Sequence, residues 1–86
     1  METVRVRYWA AARAAAGRDS DDVPGETLAE VLAEVRRLHA DSPRFVQVVG
    51  VCSVLVGERP VGTADPATIR IPPGETVELL PPFAGG

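Results

Sequence analysis

The sequence closes on Pro81-Pro82-Phe83-Ala84-Gly85-Gly86, directly after a strand-like run from Thr76 to Leu80. Gly85 and Gly86 lose more conformational freedom on ordering than any other residue and have no side chain to bury. Packing gives no reason for them; chemistry does. A C-terminal carboxylate with no Cβ beside it can thread a narrow channel in another protein, reach a nucleotide's α-phosphate and be attacked as an acyl-adenylate. The alternative is a frayed terminus that happens to be Gly-Gly, which for a lone pair is the commoner case.

Other candidate reactive groups are few. Cys52 is the only cysteine, so there is no C-x-x-C motif and no internal disulfide. It lies among Val51, Val54, Leu55 and Val56, where a thiol usually behaves as a small hydrophobe. His39 is also alone, near the end of a predicted helix, where an imidazolium would favour the negative end of the dipole. With no partner of either kind, a metal site has no ligand set and a nucleophile has no base. Asp19, Asp21 and Asp22 are not spaced as a calcium loop and read as a solvated, charged strand edge. The 86 residues carry no recognisable active site of their own.

Composition fits one small globular domain, with 45 % hydrophobic and 24 % charged residues. No apolar run approaches a bilayer span, and the N-terminus opens on an alternating strand rather than a signal peptide, so a cytoplasmic location and no membrane partner are expected. A net charge of −3 with scattered basic residues argues against nucleic acid. All nine basic residues are arginine, so the chain offers no ε-amine as an isopeptide acceptor; the codon bias of a GC-rich genome is the simpler cause.

Thr3 to Trp9 alternates, with Val4, Val6 and Tyr8 on one face and Arg5, Arg7 and Trp9 on the other, as in a half-buried strand. Ala10 to Ala16 predicts a short helix closed at Gly17. Arg18 to Val23 is at most a short edge strand before the Pro24-Gly25 turn. Thr27-Leu28-Ala29-Glu30 is a capping box opening the main helix, whose apolar stripe is Leu28, Val31, Leu32, Val35 and Leu38. Ser42-Pro43 starts either a second helix, stopped by Gly50, or a strand through the β-branched Val46, Val48 and Val49. Ser53 to Val56 is a strand, Gly57-Glu58 a hairpin loop, and Pro60 marks the return as an edge. Asp65-Pro66 is a turn, Ile69 and Ile71 point inward, and Pro72 to Glu75 turns into the last strand, Thr76 to Leu80.

This order predicts an α+β fold of the β-grasp, ubiquitin-like type: a mixed sheet of four to five strands with one main helix on one face. Residues 1–80 make the domain and 81–86 a flexible tail ending in Gly-Gly. The first and last strands are then parallel neighbours, so Val77 and Leu79 share the buried face while Glu78 faces out and pairs with Arg5 or Arg7. Trp9 and Leu80 face away from the helix where the tail leaves. With Pro60 they are the candidate docking residues for a partner; the indole could equally lie against the Ala10–Ala16 segment.

The strand ending in an aromatic pair, the alanine-rich turn closing at Gly17, the Thr-x-x-Glu helix and the terminal run Gly74 to Gly86 resemble the prokaryotic sulfur carriers related to ubiquitin. Within that family they are most similar to the small subunit of molybdopterin synthase, where two prolines commonly precede x-Ala-Gly-Gly. The thiazole-synthesis carrier shares the Gly-Gly end but usually lacks the proline pair. The approach from Ile69 to Pro73 is longer than usual and the region before the helix shorter.

The resemblance implies a carrier that is not an enzyme on its own. A ubiquitin-activating-type adenylating enzyme, using ATP, would adenylate Gly86, and a persulfide donor would convert it to a thiocarboxylate. A larger catalytic synthase subunit would then use that sulfur for molybdopterin; the carrier itself binds no cofactor. Gly85, Ala84, Phe83, Pro82 and Pro81 would be the inserted tail, with the prolines stiffening its base and Phe83 entering a partner groove. Other recipients (thiamine, cysteine, a secondary metabolite), a ubiquitin-like protein modifier and a non-catalytic β-grasp interaction domain remain alternatives.

Overall fold

Val4, Val6 and Tyr8 are buried while Arg5 and Arg7 are exposed, so the first strand, β1 (Val4–Tyr8), has the alternation its residues dictate. The computed structural model describes residues 3–82; Phe83, Ala84, Gly85 and Gly86 of the expected tail lie outside the described residues. After β1 come α1 (Ala10–Ala16), β2 (Ser20–Val23), α2 (Leu28–Leu38) and α3 (Pro43–Val51). Then follow β3 (Ser53–Val56), β4 (Arg59–Pro60), a 3₁₀ turn (Pro66–Thr68) and β5 (Thr76–Leu80). The strands form one sheet in the order β2-β1-β5-β3-β4. β1 and β5 are parallel at its centre and the other pairings are antiparallel. Among the described residues no helix is long and apolar enough to cross a membrane.

Local chemistry explains the helix ends. Gly17 closes α1 in the left-handed conformation, φ 76°, and its N–H bonds the Arg13 carbonyl at 2.9 Å. At α2 the Thr27 hydroxyl accepts from the Glu30 N–H at 3.2 Å, and the Glu30 carboxylate accepts from the N–H groups of Glu26 at 2.7 Å and Thr27 at 3.4 Å. Thr27→Ala removes the hydroxyl half of this box. It should cost about 1 kcal/mol and lower the melting temperature by roughly 4–8 °C, read by circular dichroism. An unchanged melting temperature would show that the cap contributes nothing.

α3 is a helix and not a strand: the Ser42 hydroxyl accepts from the Phe45 N–H, Pro43 occupies the first turn, and Phe45 and Val49 face inward four residues apart. Gly50 does not stop it. An exposed glycine costs a helix only about 1 kcal/mol, and the turn continues to Val51 before Cys52, with φ −71° and ψ 143°, leads into β3. Burial holds the Cys52 thiol up at about 11, and its Sγ donates to the Val48 carbonyl, consistent with a packing role.

The core lies between the sheet and the helices. Val4, Val6, Tyr8, Val56, Val77 and Leu79 from the sheet meet Ala12, Leu28, Val31, Leu32, Val35, Phe45 and Val49 from the helices. Leu38 departs from the expected stripe and is 41 % exposed; its neighbour His39, four residues after Val35, takes the inward place at 7 %. The segments that lead into α2 and β5 meet each other. Arg70 bridges to Thr27, the Leu28 N–H bonds the Ile69 carbonyl at 2.8 Å, and the Ile71 N–H bonds the Glu26 carbonyl at 3.0 Å. The approach to β5 thus supplies an acceptor for the first turn of α2 and brings Ile71 into the core.

Candidate functional site

The face of the sheet turned away from the helices is set by register. Arg7 lies opposite Glu78, Glu78 opposite Leu55 and Leu55 opposite Pro60, so these four form one row across β1, β5, β3 and β4. One step along β5, Leu80 lies opposite Ser53. Trp9 continues the extended path of β1, with φ −118° and ψ 150°, and its N–H bonds the Leu79 carbonyl at 3.2 Å. Trp9, Leu80 and Pro60 therefore share this outer face, and Leu55 joins them. Trp9, Leu55 and Leu80 are half-buried and Pro60 is exposed. β5 ends on this surface, and the chain leaves it as Pro81-Pro82.

Polar groups at the centre of the face are arranged differently from expectation. Glu78 forms no ion pair with Arg5 or Arg7 among the described residues. Its Oε1 accepts from the Trp9 indole N–H at 3.1 Å, while the Arg7 guanidinium sits 4.4 Å from the indole centroid. Arg5 instead reaches Asp22 on the edge strand at 3.2 Å. An indole N–H on a half-buried surface wants an acceptor and Glu78 is within reach, so it takes the carboxylate. The indole is thus held on the sheet face by Glu78 and Arg7. Ala10, the next residue, has φ 48°, a left-handed conformation that costs an alanine on the order of 1 kcal/mol and turns the chain off the sheet.

Directly behind this face lies a polar cluster that corrects the reading of the acidic edge. Asp21 is not solvated: its side chain is 11 % exposed. Its Oδ2 accepts from the Tyr8 hydroxyl at 2.7 Å and from His39 Nε2 at 2.8 Å, and its Oδ1 meets Arg18 Nε at 2.6 Å. His39 caps α2 through its N–H but stacks its ring on Phe45, centroids 4.1 Å apart, with Tyr8 edge-on at 5.9 Å. Burial by itself would raise the Asp21 carboxyl; hydrogen bonds from His39, Tyr8 and Arg18, with the Arg18 charge, outweigh it and hold the group below its ordinary 3.8. Burial first, then the bond to Asp21 and its charge, push the Tyr8 phenol far above its usual range, so it remains a donor. The cluster ties β1, β2, α2 and α3 together one residue before Trp9. Among the described residues no group of three His, Cys, Asp or Glu could hold a metal ion.

No model of a known protein family matches the sequence, and no curated protein matches it. Solved structures do. The small archaeal modifier protein 1 from Methanosarcina acetivorans superposes with a TM-score of 0.79 at 21 % identity, covering 100 % of this chain and 98 % of that one. This chain is a β-grasp domain. The Haloferax volcanii HVO 2177 protein matches at 0.72 and 23 % identity over 99 % of this chain and 87 % of that one. A chain from the complex of subunits 1 and 2 of the molybdopterin-converting factor of Helicobacter pylori matches the β-grasp domain at 0.63 and 20 % identity, over 98 % and 99 %. The expected α+β, ubiquitin-like architecture is therefore what the chain adopts, with α2 as the main helix and the shorter α1 and α3 beside it.

Leu55, Arg7 and Glu78 lie on the same outer face beside the three expected residues. Leu55 was legible in principle. In a two-residue hairpin through Gly57 and Glu58, Leu55 lies opposite Pro60, so a docking role for Pro60 brings Leu55 with it.

Proposed function

We propose that this chain is a sulfur carrier that acts through the carboxylate of Gly86. A ubiquitin-activating-type enzyme joins that carboxylate to the α-phosphate of ATP and releases pyrophosphate. The terminal sulfur of a persulfide then attacks the carbonyl and AMP leaves; a second thiol splits the acyl disulfide, giving the thiocarboxylate and a disulfide. The carrier docks on a larger synthase subunit through Trp9, Leu55, Pro60 and Leu80 and delivers the sulfur to a molybdopterin precursor.

The observation that carries this reading is the geometry of the exit. β5 ends within the apolar patch of the outer face, so a partner seated there meets the tail at its base. Six residues from Pro81 extend about 20 Å, enough to enter a site buried in that partner. The β-grasp likeness to a chain of a two-subunit molybdopterin-converting factor supports the recipient. ATP–pyrophosphate exchange by the activating enzyme of the same organism tests it: exchange should depend on added carrier. Exchange at the same rate with and without it would remove the proposal.

The likeness to a small archaeal modifier favours a second reading, in which Gly86 forms amides with lysines of other proteins. That reading expects a ladder of heavier species carrying this chain on denaturing gels, resistant to thiols.

A further inference from the structure

Trp9 is constrained from every side available to it. Its N–H is bonded to the Leu79 carbonyl, and its own carbonyl accepts from Ala12 at 2.9 Å and Arg13 at 3.3 Å, across the left-handed Ala10. Its side chain donates to Glu78 and lies under Arg7. Glu78 and Arg7 are cross-strand partners on β5 and β1, both of which are flanked by a strand on each side. A surface that needed only apolar area would gain nothing from fixing one indole so fully. A surface that must seat a large ring in one pose gains the rotamer freedom it no longer has to lose on binding.

Resting on the docking role proposed above, we infer that Glu78 is a positioning residue: it holds the Trp9 indole in its bound pose before the larger subunit arrives. Because the only polar atom of the ring already has its acceptor within this chain, the partner surface that receives Trp9 is apolar and supplies no acceptor for the indole N–H. Glu78 acts through Trp9 and not by contact of its own.

Trp9 is the sole tryptophan of the 86 residues, so intrinsic fluorescence reports on it alone. The test uses the full chain as wild type, Trp9→Ala, Glu78→Ala and Glu78→Gln. Affinity for the larger synthase subunit of the same organism is measured by calorimetry, indole motion in the free carrier by time-resolved anisotropy, and folding by thermal melts. Trp9→Ala should weaken binding roughly tenfold or more, as loss of a central aromatic anchor does. Glu78→Ala should weaken it about threefold to tenfold, the cost of immobilising one side chain, with faster indole motion and an unchanged melt. Glu78→Gln keeps an oxygen acceptor and should stay within about twofold of wild type. Wild-type affinity for Glu78→Ala beside a weakened Trp9→Ala would overturn the positioning role and leave the docking surface standing. Equal loss in Glu78→Ala and Glu78→Gln would overturn it too, by making charge the cause, as would unchanged indole motion in Glu78→Ala. Wild-type affinity for Trp9→Ala would instead remove the docking role itself.

Discussion

Deleting Gly86 should abolish carrier-dependent ATP–pyrophosphate exchange and all downstream sulfur transfer while leaving the domain as stable as before. The deletion leaves a carboxylate, now on Gly85, but withdraws it by one residue, about 3.5 Å along an extended chain. Misplacing a reacting group by 1 Å already costs on the order of a hundredfold. A shift more than three times larger places the loss at roughly a thousandfold or beyond, at the limit of detection. The described core runs from Val4 to Leu79, so the melting temperature should not move. Gly86→Ala keeps the length and adds only a Cβ beside the carboxylate, so it separates reach from channel width. Exchange undiminished in the deletion would mean that activation does not require the carboxylate to stand at Gly86.

Asp21→Ala should be the most destabilising single substitution proposed for this chain, although its site is an edge strand. It leaves the Tyr8 hydroxyl and the His39 ring without their acceptor and the Arg18 guanidinium without its partner. Stranding buried donors in this way costs about 2–4 kcal/mol. In a domain of this size that lowers the melting temperature by roughly 8–32 °C. The pH dependence has a definite sign. The Asp21 carboxyl is held below 3.8 in the folded protein, so the unfolded chain takes up the proton first as pH falls. Its contribution is therefore complete above 3.8 and is lost as pH drops through the lower folded value. The stability gap between wild type and Asp21→Ala should narrow as pH falls below 3.8, as read from urea melts across pH. A gap that widened toward acid would show that Asp21 is not held ionised by its neighbours.

Why Asp21 escapes the sequence, when so much else does not, follows from the range of the interactions. β1, the Gly17 stop and the Thr27–Glu30 box are written in residues a few positions apart, and a period or a cap reveals them. The parallel pairing of β1 and β5 follows from the order of elements, and parity then sorts Val77 and Leu79 from Glu78 and Leu80. The cluster joins Tyr8, Asp21 and His39, separated by 13 and 18 residues, through the packing of α2 on the sheet. An aspartate in an acidic run and a histidine at a helix end each have a sufficient surface explanation until the other is placed beside it. The same blindness put Leu38 inside, because helical spacing allows either 38 or 39 and only the partner on β2 selects His39. At the candidate site, the outward placement of Trp9 and Leu80 was legible by alternation, whereas Pro60 was read only as the mark of an edge strand. The preference of Glu78 for the indole over an arginine was not legible, because both lie within reach of the same carboxylate.

The central claim is that Gly86 carries sulfur, and the most direct measurement is the intact mass of the untagged protein purified from its own host. The same spectrum identifies the last residue of the mature chain and its chemistry. A fraction about 16 Da heavier than the chain ending in a Gly86 carboxylate, oxygen replaced by sulfur, is the result expected. It should grow on incubation with the activating enzyme, ATP and a persulfide donor, and be absent when Gly86 is deleted. A single unmodified mass that persists after that incubation would contradict the carrier reading.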